Sequence, residues 1–314
     1  MRWRAVAIAV VALAASACAG AAPAPTPTPT PAAPPPAALS PAAPPPAALP
    51  PAAAGITPLL ATTQLRVGTQ RVAFLLHSAT TLITAPEVEV RTSLPGTSLG
   101  ESAVAPFHLW PFGTRGTYAT ELTFEAAGEW RLDITVDDPA FAGEASITVH
   151  VAERSSVRDV GELALFSNTK TLRSENGDLS RITTSSTPDI ELYRLSVAEA
   201  LISGRPSVIV FASPAFCTSP TCGPQVETVS ELRARHADEA DFVHVEVYDN
   251  PDEIQGDLTR GTYTPALSAW GIDTVEGYLN ESWVFVLGSD GRITARFEGY
   301  ATLDELESAL LAAS

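Results

Sequence analysis

The chain has 314 residues, and 36 acidic against 19 basic side chains give it a net charge of −17, with Lys170 its single lysine. That balance argues against a nucleic-acid or anionic-lipid partner, since both call for a basic face. The first fifty-odd residues carry no fold pattern, and the length beyond them suits two domains of ordinary size.

Met1-Arg2-Trp3-Arg4 is a short positive start, and Ala5 to Ala15 is apolar and rich in small residues. Residues 1–17 therefore read as a secretory signal, too short to span a bilayer as a mature helix. Its end, Ala15-Ser16-Ala17-Cys18, resembles the bacterial lipobox, although Leu is usual where Ala15 stands. The resemblance implies lipidation of Cys18, a membrane-anchored lipoprotein and an extracytoplasmic location. Cys217 and Cys222 then remain as one pair, in a compartment where a disulfide persists.

Residues 18–54 form a Pro/Ala-rich linker. The run Pro31 to Leu39 recurs as Pro41 to Leu49, and proline on this scale favours polyproline II over any packed core. Such a spacer reaches roughly 100 Å at about 3.1 Å per residue.

From residue 55 to 153 the period is two. Val72, Phe74 and Leu76 alternate, as do Val88 and Val90. Tyr118, Thr120, Leu122 and Phe124 share a face, and Ala126-Ala-Gly-Glu129 turns the chain into Trp130, Leu132, Ile134 and Val136. Ile147, Val149 and Val151 line a last strand. Short strands separated by turn signals predict an antiparallel β-sandwich. The stretch Gly116 to Trp130 resembles immunoglobulin-like modules of bacterial envelope proteins. His77, His108 and His150 are scattered here and read as surface residues, so the expected role is docking or adhesion.

The periodicity changes beyond residue 157. Asn176-Gly177 marks a turn, and Ser196-Val-Ala-Glu199 opens a helix that Gly204 closes. Val208-Ile-Val-Phe211 is a buried strand, and Asp241 to Tyr248 is another. Between them lies Phe216-Cys217-Thr-Ser-Pro-Thr-Cys222-Gly-Pro224, running into a helix with Val226, Val229, Leu232 and Ala234 as its apolar set. Thr264-Pro265 starts a short helix, Trp283 to Phe297 reads as a hairpin around Gly288 to Gly291, and Thr302-Leu-Asp-Glu305 caps a last helix with Leu303, Leu306, Leu310 and Leu311 inward.

Two thiols thus sit where a strand hands over to a helix N-terminus, whose dipole favours a thiolate. Five positions apart on a helix they would lie about 140° from each other at 3.6 residues per turn. Cys217 must therefore occupy the loop, with Cys222 in or just before the first turn. Ser219 as N-cap and Pro220 as first helical residue would arrange this. A second register sets Gln225 in place of the second cysteine of a Cys-Gly-Pro-Cys motif.

The order strand, cysteine helix, strand, helix, hairpin, helix over residues 157–314 resembles an α/β thioredoxin-like domain. Phe211 to Cys217, Tyr248 to Pro251 and Gly291 to Gly299 carry the likeness. It is similar to bacterial envelope lipoproteins that join an immunoglobulin-like module to a thioredoxin-like domain with a Phe-Cys…Cys-Gly-Pro signature. The resemblance implies a redox-active Cys217–Cys222 disulfide that exchanges with thiols and disulfides of envelope proteins, with Pro220 and Pro224 in supporting places. The chain departs from that family in its Cys-x4-Cys spacing. Phe211 stands at the buried acid's place, leaving Glu246 as the candidate proton carrier. Ser282, before Trp283, stands where a cis-proline is expected. Four uses of the pair stay open: thiol–disulfide exchange without a cofactor; a Cu(I) site of Cys217, Cys222 and His244, similar to Sco-type copper chaperones; a structural staple; or a module that only binds a partner. His244 also reads as a hydrogen-bonded core residue, and His236 as a partner of its helix's C-terminal dipole.

Overall fold

The computed structural model describes residues 55–111, 113–217, 220–275 and 281–314. The expected signal, the linker, Cys18 and Ser219 lie outside these residues. Seven strands are described in the first half: β1 (Thr57–Leu60), β2 (Gly68–His77), β3 (Glu87–Ser93), β4 (Ser102–Leu109), β5 (Gly116–Phe124), β6 (Gly128–Asp138) and β7 (Phe141–Val151). They pair antiparallel in the order β1-β2-β5-β4-β3-β6-β7.

The expected pair of sheets is one continuous sheet that doubles over, because β4 changes partner along its length. Ser102 to Pro106 pairs with β3, and Phe107 to Leu109 pairs with β5. Pro106 sits at the changeover, where a missing N–H costs the ladder least. Both ends of the sheet then face a common core of Val72, Phe74, Tyr118 and Phe124 against Val90, Trp130, Ile134 and Val151. Tyr118 is buried, and its hydroxyl donates to the carbonyls of Ile83 and Ala85. The histidines do not gather: His150 pairs with Glu129 at 2.6 Å, and His77 is exposed beside Ser78.

The second half contains α1 (Val197–Ser203), β8 (Ser207–Ala212), α2 (Cys222–His236), β9 (Asp241–Glu246), α3 (Pro251–Ile254), α4 (Pro265–Ala269), β10 (Trp283–Leu287), β11 (Ile293–Glu298) and α5 (Leu303–Ala313). Its sheet has the order β11-β10-β8-β9. β8 and β9 run parallel, joined through α2, and the other pairs are antiparallel. One face carries Ile209, Phe211, Val243, Trp270 and Phe285; the other carries Val210, Phe242 and Val284 under α2 and α5. Ser196 and Thr302 both complete capping boxes, with Glu199 and Glu305. Two apolar expectations fail: Ala234 and Leu311 are exposed, and Gln225 and Thr228 occupy the buried face of α2 instead. Gln225 is accommodated because its Oε1 accepts the Ala301 N–H at 2.7 Å. Among the described residues no helix is long and apolar enough to cross a membrane.

The described residues from 55 to 314 belong to one compact unit. Edge strand β11 faces the first half through polar contacts. Glu298 accepts N–H groups from Thr63 and Gln64 at 2.8 and 3.1 Å. Arg71 is forked onto Glu305, 2.7 Å at its closest, and donates to the Tyr300 carbonyl. Asp159 pairs with both Arg66 and Arg296.

Candidate functional site

β8 is short, apolar and β-branched, so it is buried along its whole length, and it ends at Ala212, just before Ser213. The loop after it carries Cys217, and α2 begins at Cys222. The two sulfurs are bonded, with Cα atoms 5.9 Å apart. Cys222, the first residue of the helix, is fully buried, whereas Cys217 in the loop is partly exposed. The N-cap is Thr221, so Pro220 lies ahead of the cap and not at the first helical position expected for it. Thr221 makes no side-chain cap; its hydroxyl turns to the Glu281 carboxylate at 3.3 Å. That contact brings the segment before β10 beside the start of the cysteine helix.

Ser282 is buried and bound to Gly299. The Ser282 hydroxyl donates to the Gly299 carbonyl at 3.2 Å, and its own carbonyl accepts the Gly299 N–H at 2.9 Å. Its peptide bond is trans, like every one described. Trp283 packs with Phe211 and Phe285 on the sheet face opposite Cys222, and the Arg296 guanidinium lies over its ring at 5.7 Å. Pro220 and Pro224 do stay beside the cysteines, where they line a cavity of about 330 Å³. Gln225, the residue of the second register, is buried against Ala301, one turn into the helix.

His244 and Glu246 alternate along β9 on the face that also receives Cys222. The Nε2 of His244 meets the Ala212 carbonyl at 3.0 Å, so this nitrogen carries the proton. Nδ1 then accepts the Tyr193 hydroxyl at 2.8 Å. Burial lowers the His244 pKa to about 4, against the opposing pull of the Ala212 hydrogen bond, and the ring is neutral. With both nitrogens committed, Cys217, Cys222 and His244 do not fit a Cu(I) site. Among the described residues no three His, Cys, Asp or Glu side chains gather into a metal-binding group.

Glu246 lies under the cysteine loop. Its carboxylate accepts the Thr184 N–H and hydroxyl, both at 2.8 Å, and the Val247 N–H at 3.0 Å. Burial nevertheless raises its pKa to about 7, outweighing these hydrogen bonds and one from Ser213. The Thr184 hydroxyl also accepts the Ala215 N–H at 3.1 Å, which ties the loop directly to this carboxyl. Thr184, Ser213 and Tyr193 were not singled out from the sequence. The hydroxyl run Thr183-Thr-Ser-Ser-Thr187 was the available signal. His236 sits at the end of α2 between Glu239 and Glu307, each at 2.8 Å, and the Glu307 and Glu239 hydrogen bonds raise its pKa.

No family model matches the chain, and no curated protein does. Among solved structures, a thiol:disulfide interchange protein of the thioredoxin family from Chlorobium tepidum TLS is similar at 15% identity and a TM-score of 0.27. That match covers 35% of this chain and 80% of that one.

Proposed function

We propose that the chain is an extracytoplasmic thiol–disulfide exchange protein whose working group is Cys217/Cys222, held on a thioredoxin-like α/β domain beside an immunoglobulin-like one. The observation that carries this reading is the cross-link between a partly exposed loop cysteine and a buried first helical residue, directly after a buried parallel strand.

The reduced pair acts in two steps. The Cys217 thiolate attacks one sulfur of a substrate disulfide, and the other substrate sulfur leaves as a thiol. Cys222 then attacks Cys217, releasing the second substrate thiol and closing the protein disulfide. Two electrons pass from the protein dithiol to the substrate, and a dithiol donor must restore them. The same steps run backwards when the substrate is the stronger reductant. The helix N-terminus lowers the cost of a thiolate, and Glu246, with its pKa near neutrality, is the carboxyl in reach of the loop for proton exchange. The lipobox-like Ala15-Ser-Ala-Cys18 supports a lipid anchor on Cys18.

The reduction potential of the Cys217/Cys222 couple tests the reading. A value above about −300 mV, open to exchange with protein thiols, is expected. A lower value, typical of inert structural disulfides, would make the bond a staple. Mass spectrometry of the mature N-terminus tests the anchor: lipid on Cys18 is expected, and an unmodified start downstream of it would refute that part.

A further inference from the structure

Residues 183–187, ahead of α1, are all hydroxyl-bearing, and the exchange steps use none of them. Ile182 anchors this segment, because it is buried in the same apolar cluster as Cys222, Val210 and Phe242. Two residues on, the Thr184 hydroxyl serves two sides at once. It donates to Oε2 of Glu246 at 2.8 Å and accepts the Ala215 N–H at 3.1 Å. Ala215 lies in a turn that the Phe216 N–H closes by donating to the Ser213 carbonyl at 3.1 Å. Cys217 follows directly. The Phe216 ring meets the Tyr248 ring edge-on, with centroids 6.0 Å apart. The loop ahead of Cys217 is therefore docked beside the end of β9 at two points, and one of them passes through a titratable carboxyl.

A hydroxyl offers one donor and two acceptor positions. With Glu246 ionised, the Thr184 O–H points at the carboxylate, and a hydroxyl polarised by an anion is the better acceptor for the Ala215 N–H. With Oε2 protonated, the carboxyl is the donor. The Thr184 proton then turns away, toward Ser213 Oγ at 3.5 Å or into the groove of about 320 Å³ that Thr184 lines with Pro214, Ala215 and Gly223. Its oxygen now serves two donors, and its hold on Ala215 weakens. The other titratable groups around Glu246 are His244 on the same strand, Tyr193 bonded to it, Tyr248, and Lys170 and Asp249, which border a narrow cleft that Glu246 also lines. Burial lowers the His244 pKa to about 4 and raises those of Tyr193 and Tyr248, so these three keep their charge near neutrality, where Glu246 changes its own. Lys170 pairs with Asp249 at 3.8 Å and donates to the Arg181 carbonyl.

We propose that Thr184 is a positioning residue of the thiol site: its hydroxyl couples the charge on Glu246 to the hold on the loop that presents Cys217. The inference rests on the exchange reading above. Thr184 takes no part in the sulfur chemistry. It sets how firmly Cys217 is carried at the start of α2, firmly while Glu246 is ionised and loosely once it is protonated.

The test follows the Ala215 amide by NMR in the full ¹⁵N-labelled chain, titrated in its disulfide-bonded form, where neither cysteine ionises. The amide shift is expected to move with a midpoint near 7. Glu246→Gln and Thr184→Val should each flatten that curve, and Thr184→Ser, which keeps the hydroxyl, should restore it. A second arm times the capture of a disulfide-bonded peptide by Cys217 in the Cys222→Ser chain. There Thr184→Val should slow capture about tenfold, and Thr184→Ser should bring it back. An Ala215 amide that stays still in the wild type, or that moves equally in Thr184→Val or Glu246→Gln, overturns the coupling, while capture by Cys217 leaves the exchange reading in place. If Cys217 captures nothing at any pH, the exchange reading falls and takes the role of Thr184 at the thiol site with it.

Discussion

The two sheets obey different burial rules. Along β6 the pattern alternates, with Trp130, Leu132, Ile134 and Val136 inside while Arg131 faces water. Along β8, β9 and β10 every residue is buried, because helices cover one face and the segment around Trp270 covers the other. In the first sheet most polar residues sit outside, and a buried one such as Tyr118 bonds to backbone carbonyls. In the second it has no outside, so each one must find partners or shift its pKa. His244 and Glu246, on the strand that runs beside the cysteine loop, do both.

The comparison can be broken most directly by alanine substitution at neighbouring positions. In β8, Ile209→Ala and Val210→Ala point to opposite faces, yet both should cost about 2 kcal/mol or more, up to about 5. In β6, Leu132→Ala should cost a similar amount, whereas adjacent Asp133→Ala should stay within about 0.5 kcal/mol. Denaturant midpoints decide it; a tolerated residue inside β8 would contradict full burial.

A slightly smaller effect comes from pH. His244 is held neutral with a pKa of about 4, so below its ordinary 6.5 the unfolded chain takes up a proton that the folded chain refuses. Stability should fall from pH 6.5 to about 4, by about 3 kcal/mol. Glu246 acts in the opposite sense. Its pKa is raised from 4.5 to about 7, so in that window the folded chain keeps a proton the unfolded chain has lost. Stability should therefore rise as pH falls from 7 to 4.5, by a similar amount. The two nearly cancel between pH 4.5 and 6.5. Glu246→Gln exposes the acid loss: its deficit against wild type should grow by about 3 kcal/mol from pH 8 to pH 4.5. A deficit independent of pH would remove the buried carboxyl's titration from the account.

The smallest effect concerns the seam between the halves. Arg71→Ala removes a forked pair with Glu305, a bond to the Tyr300 carbonyl and the cation over Phe297. It should cost about 1–2 kcal/mol by chemical denaturation. No loss would mean that the seam is held by other contacts.

Alternation made β2, β5, β6 and β7 legible from the residues alone, and continuous apolar runs did the same for β8 and β10. β4 was not legible, because Pro106 argues against a strand and interrupts the period between the small inward Ala103 and Ala105 and the inward Phe107. The capping boxes at Ser196 and Thr302 were plain, since their partners lie three residues away. The start of α2 was misplaced because Ser219-Pro220 has the better local cap chemistry, while Thr221 is held by Glu281, 60 residues distant. Distance along the chain also hid the seam: Thr63 and Glu298 are 235 residues apart. At the site, the placing of Cys217 in the loop and Cys222 in the first turn was readable from spacing. The seat of Glu246 depends on Thr184, 62 residues upstream, and no local pattern encodes that contact.

Substitution of one cysteine at a time, followed by incubation of the reduced chain with a disulfide-bonded protein substrate, tests the central claim most directly. With Cys222→Ser, the partly exposed Cys217 should capture the substrate and hold it as a mixed disulfide, stable on a non-reducing gel and released by dithiothreitol. With Cys217→Ser, the buried Cys222 should capture nothing. Equal capture by both variants, or by neither, would contradict an attacking Cys217 and a resolving Cys222.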